Sequence, residues 1–262
     1  MRPCFRLLLL ALGFSVLPLA TASAGTICDL TVLDSCTING GIFAVEVIHP
    51  AGTGVIDSFV RVQQKGTEQG YNTTYRKVQF NEKKDPNFTR DLLLSEVGTT
   101  IIGGIPYATF FLDINEPASK NKETITLDQL ELFTTDLPNR TGYTGVPNTA
   151  SGSLPGTTKV YDMDADGDNL VQLSYNKIGG GSGSSDMVFY LPMSLFTGDY
   201  VNLFSQFGNI DGNAMKAQSQ AGFEEWFTLK EVQETAIPEP GTMALLGVGL
   251  LGLARRYQKR AS

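Results

Sequence analysis

From about residue 41 to residue 230, short apolar runs alternate with turn clusters rich in Gly, Pro, Asn, Asp and Ser. Ile42–Ile48 is a β-rich run, and Val55–Val62 alternates in part. Tyr71–Phe80 is rich in Thr, Tyr and Val. Tyr107–Ile114 is largely apolar and aromatic, as in a buried strand. Ile125–Leu127 and Leu130–Phe133 predict a further strand or one strand with a kink. Leu170–Tyr175, Met187–Leu191, Tyr200–Phe207 and Phe223–Leu229 bring the set to about nine or ten. No long run repeats with the 3.6-residue period of a helix. Short strands punctuated by Gly and Pro predict an all-β chain, a single β-sandwich or jelly-roll domain over residues 25–232. Asn139–Lys159, rich in Thr, Gly, Pro and Ser, reads as a long surface loop. Gly179–Ser185 reads as a flexible hairpin loop, because it lacks the Gly-Lys-Ser/Thr ending and the following helix of a phosphate loop.

The two ends carry a different pattern. Residues 1–24 have basic Arg2 and Arg6, an apolar run from Leu7 to about Leu19, and the small-x-small triplet Ala22-Ser23-Ala24. This is the layout of a secretory leader, with the mature chain starting at Gly25. In residues 233–262, Pro238-Glu239-Pro240 is followed by the apolar, uncharged run Thr242–Ala254 and then by Arg255-Arg256-Tyr257-Gln258-Lys259-Arg260. Thirteen apolar residues fall short of the roughly 20 that a membrane helix needs, but 240–257 comes close if the arginines snorkel. The basic tail then belongs on the cytoplasmic side and the domain outside.

This C-terminal order closely resembles the PEP-CTERM sorting signal of Gram-negative bacteria. Pro238, Glu239 and Pro240, the apolar helix, and Arg255 and Arg256 match its three parts in sequence. The resemblance implies recognition by exosortase, a membrane-embedded protease or transpeptidase, and removal of the tail near Pro238–Pro240. It also implies transient residence in the inner membrane through 242–257 and delivery to the cell surface or to an exopolysaccharide matrix. It covers about the last 25 residues and leaves the chemistry of the domain open.

Charge narrows the options. The whole chain carries 20 basic and 27 acidic residues, and His49 is its one histidine. Without Arg2, Arg6, Glu239, Arg255, Arg256, Lys259 and Arg260, the exported domain has 14 basic and 26 acidic residues, a net charge of −12. Nucleic acid is not a partner for such a surface, whereas divalent cations are attracted to it. A lone histidine excludes multi-histidine metal sites.

Four groups of residues carry candidate chemistry. Cys28 and Cys36, the only cysteines outside the leader, predict a disulfide in an exported domain. Asp162-Met163-Asp164-Ala165-Asp166-Gly167-Asp168 places carboxylates at positions one, three and five of a loop, with a glycine for the turn. That spacing suits Ca²⁺, with Asp162, Asp164, Asp166 and Asp168 as ligands. Leu173 stands where an EF-hand has its twelfth-position Glu, and a strand follows, so the expectation is a β-type loop. Asp113 and Glu116, and Glu224 and Glu225 beside Trp226, are carboxylate pairs of the kind glycosidases use. Neighbours in a strand point to opposite faces, however, so these pairs read as turn caps and solvated positions. Tyr71, Tyr75, Tyr143 and Trp226 are the aromatics that could stack on sugars. The resulting expectation is an exported, exosortase-processed, non-enzymatic surface or matrix protein associated with exopolysaccharide. The alternatives are a Ca²⁺-dependent carbohydrate-binding module and, third, an enzyme acting on polysaccharide.

Overall fold

The computed structural model describes residues 25–46, 56–119, 122–145, 152–177, 184–208, 217–220 and 222–229. Within them the chain runs through β1 (Ile27–Asp29), β2 (Ser35–Ile38), β3 (Gly41–Ala44), β4 (Ile56–Val62), β5 (Lys65–Gly66), β6 (Glu68–Tyr71), β7 (Leu92–Leu93) and β8 (Gly98–Ile102). It continues through β9 (Ile105–Ile114), β10 (Thr124–Thr135), β11 (Thr158–Asp162), β12 (Leu170–Ser174), β13 (Met187–Pro192), β14 (Tyr200–Phe207), β15 (Ser219–Gln220) and β16 (Glu224–Leu229). Among the described residues the only helical turns are two 3₁₀ pieces, Leu94–Glu96 and Met193–Leu195.

Two seven-stranded sheets face each other. The first has the order β1-β12-β10-β14-β6, with β11 beside β10 and β7 beside β14; the second is β2-β3-β13-β9-β16-β4, with β8 beside β9. Among the described strands, only β1 and β12 pair in parallel. One apolar core fills the space between the sheets, drawing Leu130, Leu132, Leu203 and Phe207 from the first and Phe110, Leu112, Phe189 and Trp226 from the second. The Trp226 indole N–H crosses the core to the Ser205 hydroxyl at 3.1 Å. The chain is thus the expected all-β sandwich.

Both outer faces are also covered, which explains why the long strands lack polar alternation. On the first sheet, Tyr71, Phe133, Tyr143, Leu154 and Phe204 form a second cluster. Tyr143 lies flat on Phe204, with ring centroids 4.0 Å apart and planes 9° from parallel. On the second sheet, Phe111, Val188, Tyr190 and Phe227 form a third.

Three expectations are corrected. Tyr71–Phe80 is not a strand: β6 ends at Tyr71, and side chains replace the ladder beyond it. Asn72 receives the Leu203 N–H and donates to the Val201 carbonyl, while the Glu82 carboxylate takes the N–H groups of Tyr71 and Phe80. The Asn139–Lys159 segment is not merely a surface loop, because Tyr143 and Leu154 bury themselves on the first sheet and β11 begins at Thr158. The chain from β12 to β13 is not a hairpin, since β12 belongs to the first sheet and β13 to the second; residues 178–183 of it lie outside the described residues. The runs Ile125–Leu127 and Leu130–Phe133, read as a further strand or one strand with a kink, both belong to the continuous β10, which carries register shifts at Leu127/Gln129 and Leu132/Phe133.

Candidate functional site

The cysteine pair is joined, with Cα atoms 6.1 Å apart. Cys28 is on β1 of the first sheet and Cys36 on β2 of the second, so the bridge staples the two layers where no backbone ladder connects them.

The acidic loop closes β11 and leads to β12. Its carboxylates meet N–H donors. Asp162 Oδ1 accepts the Asp164 N–H at 3.0 Å, and Oδ2 accepts the Lys159 ammonium at 2.9 Å. Asp164 Oδ1 accepts the Asn169 N–H at 2.9 Å. Asp166 Oδ1 accepts the side-chain amides of Asn169 at 2.8 Å and Asn39 at 3.0 Å, which together hold its carboxyl below the usual range. Among the described residues, no group of three or more His, Cys, Asp or Glu side chains is arranged to hold a metal ion. Neighbouring Tyr161 donates to the Ile38 carbonyl at 3.0 Å; burial first, and then the charge of Asp164, pushes its phenol well above the ordinary value.

The carboxylates singled out in sequence do not pair as written. Asp113 and Glu116 part company, as do Glu224 and Glu225. Glu225 stands opposite Asp113 in the β16–β9 ladder, on the outer face of the second sheet. Asp186 precedes β13 beside them and accepts the Ile114 N–H at 2.8 Å. Arg61 on β4 closes the row on the Glu225 carboxylate, with its guanidinium between the rings of Phe88 and Phe223. Burial, with the Asp113 charge adding to it, pushes Asp186 up to about 7. On the inner side, Glu116 comes close to Glu68, and the Ser219 hydroxyl hydrogen-bonds both. Burial above all pushes Glu68 up to about 8. All of these carboxylates are buried, so the reading of them as solvated positions is corrected.

Three of the four aromatics considered for sugar stacking are core residues: Tyr71, Tyr143 and Trp226 are buried, and Tyr75 alone is exposed. Sequence reasoning missed the Lys159–Glu131 ion pair, in which a fully buried carboxylate also receives the Tyr143 hydroxyl at 2.8 Å and the Gly152 N–H. It also missed an open cleft of about 290 Å³ at the ends of β10 and β11, lined by Thr134, Thr135, Asp136, Leu137, Gly156, Thr157, Thr158, Thr197 and Gly198. A cluster of threonines is the only sequence signal for it.

The leader, the membrane-length segment 242–257, and the sorting residues Pro238, Glu239, Pro240, Arg255 and Arg256 lie outside the described residues. Among the described residues, no helix is long and apolar enough to cross a membrane. Residues 236–260 match the PEP-CTERM protein-sorting motif. The chain therefore bears a signal for exosortase-dependent export, with a surface or extracellular destination. No curated protein and no solved structure matches the chain.

Proposed function

We propose that this protein is a non-enzymatic component of the extracellular polysaccharide matrix of a Gram-negative bacterium, released into it after exosortase trims the tail. The sorting motif at 236–260 is the observation that carries the reading. Two features of the sandwich support it. The disulfide between the sheets suits a domain that works outside the cell. The carboxylates Asp113, Glu116, Glu224 and Glu225 are sealed among strands and loops rather than presented to a polymer.

The test is fractionation of producing cells into matrix, surface and medium, with intact mass spectrometry of the protein recovered. The expected product starts at Gly25, lacks Arg255–Ser262 and co-purifies with polysaccharide. Recovery of the full-length chain, or of a trimmed chain entirely in the polymer-free medium, overturns the reading.

A Ca²⁺ ion in the Asp162–Asp168 loop is a second proposal, favoured by the four Asp side chains within seven residues. Binding would require Asp162 to leave Lys159. Thermal melts with millimolar calcium and with chelator test it: a higher midpoint in calcium supports the ion, because only the folded chain preassembles the loop. An unmoved midpoint leaves a hydrogen-bonded turn.

A further inference from the structure

The cleft at the ends of β10 and β11 separates its polar groups into two sets. The first set builds the walls. Thr134 Oγ1 accepts the Gly198 N–H at 2.8 Å, Thr135 Oγ1 donates to the Gly156 carbonyl at 2.9 Å, and Thr157 Oγ1 donates to the Leu154 carbonyl at 2.7 Å. Gly198 allows the floor to close, since a Cβ there would lie 2.6 Å from the Thr135 backbone. The second set is Asp136, Thr158 and Thr197. These side chains are exposed, line the same cleft, and make no hydrogen bond to the described residues. Leu137, 55% exposed, adds one apolar surface to the rim. Rigid walls with unengaged polar groups are the arrangement of a site formed before its ligand arrives.

We infer that this cleft binds a neutral sugar unit of the matrix polysaccharide. Hydroxyls act as both donor and acceptor, as sugar hydroxyls do, so Thr158 and Thr197 match them in either sense. Asp136 offers a carboxylate, which accepts from two adjacent hydroxyls of a sugar in charge-assisted bonds. Leu137 suits the C–H face of a pyranose. The lining contains no Lys or Arg to neutralise an acidic sugar, and the exported domain carries a net charge of −12. An anionic polymer is therefore disfavoured. About 290 Å³ lies at the lower end of small-molecule sites, which suits one or two rings of a longer chain that continues into solvent through the open side. The choice of ligand rests on the matrix function proposed above; the geometry of the cleft does not.

The experiment titrates the purified secreted protein with cellotetraose, maltotetraose and mannotetraose, and with tetragalacturonate as the anionic probe. Calorimetry and amide chemical shifts are the readouts. At least one neutral tetraose should bind and move resonances of residues 134–137, 156–158 and 197–198. Asp136→Asn with Thr197→Val should weaken it by about tenfold or more, since a charge-assisted and a neutral hydrogen bond are both lost. Both positions are exposed, so the thermal midpoint should not move. The proposal is overturned if no neutral tetraose binds at 10 mM, if the double variant binds equally well, or if tetragalacturonate binds more tightly. Loss of matrix retention with tetraose binding intact would strike the proposed matrix role and leave the cleft standing.

Discussion

Lys159 places its ammonium 2.7 Å from a carboxylate oxygen of Glu131, a residue with no exposed surface. The same ammonium reaches Asp162 at 2.9 Å. Lys159 thus ties the outer face of the first sheet to the start of the acidic loop. Glu131 in turn holds the Tyr143 hydroxyl and the Gly152 N–H, and with them the segment that covers Phe204. Burial first and the Glu131 charge second push the Tyr143 phenol far above its ordinary value, so it stays a donor.

Lys159→Met removes the one cation that the described residues bring to this carboxylate and leaves a buried charge. Breaking such a pair costs about 3 kcal/mol. Urea unfolding should show a loss of that order, and Lys159→Arg should recover most of it. Glu131→Gln in the Met background should also recover part, because it removes the unpaired charge. If Lys159→Met unfolds at the wild-type midpoint, the pair is a solvated surface contact.

Glu68 sets the direction of the pH dependence. Its carboxyl is raised to about 8 in the folded protein from an ordinary value of 4.5. The unfolded chain therefore releases this proton first as pH rises. The stability contributed by the neutral carboxyl is full below about pH 4.5 and is lost as pH climbs through about 8. Asp186 adds in the same sense up to about 7. The protein should melt at a higher temperature near pH 5 than near pH 9. In Glu68→Gln the side-chain carbonyl still accepts the Gln64 N–H, which lies 2.6 Å from the present carboxylate. The variant should gain on the order of 1–2 kcal/mol over wild type at pH 8, or about 3 °C or more, and little at pH 5. A flat wild-type profile from pH 5 to 9 would show that burial does not hold the proton on Glu68.

How much of this was legible follows from where each signal lies along the chain. β9, β13, β14 and β16 read directly, since their apolar and aromatic runs are local and Gly, Asn or Asp bound them. β1, β2 and β11 did not, because they are short and partly exposed; β1 pairs with the distant β12, β11 pairs with β10 across the whole 136–157 segment, and β2 is a four-residue arm of a hairpin with β3 whose one other tie is the disulfide. The Thr, Gly, Pro and Ser around Tyr143 hid a buried residue whose stacking partner, Phe204, is distant in sequence. The parity of a strand correctly separated Glu224 from Glu225. It could not show that Asp113, Asp186 and Glu225 would meet, because register across three strands is not written locally.

The disulfide should carry measurable stability. The bridge spans a sequence separation of 8 and joins strands from opposite sheets. Chain-entropy arguments assign a loop of that size about 2.5 kcal/mol. Cys28→Ala with Cys36→Ala should lower unfolding stability by about that amount while the sandwich persists, since neither sheet depends on β1 or β2 for its central strands. Thiol labelling of the unreduced, exported protein should find no free cysteine. Two labelled thiols, or a double variant as stable as wild type, would reject the staple.

Removal of residues 1–24 should act on the acidic loop. Gly25 lies against that loop so closely that a Cβ on it would stand 1.6 Å from the Asp168 carbonyl oxygen. Next to it, the Thr26 N–H donates to Asn169 Oδ1 at 2.5 Å and the Thr26 carbonyl receives the Leu170 N–H at 3.0 Å. Cleavage after Ala24 would convert the Gly25 amide into an ammonium against the Asp168 end of the acidic loop. A new cation there relieves the mutual repulsion of the carboxylates, whether or not calcium also binds. Such a gain is that of a solvated ion pair and is screened by salt. Protein starting at Gly25 should therefore melt a few degrees above the same domain with an acetylated N-terminus, and the difference should shrink in 1 M NaCl. Equal midpoints at low salt would show that the mature N-terminus makes no use of the acidic loop.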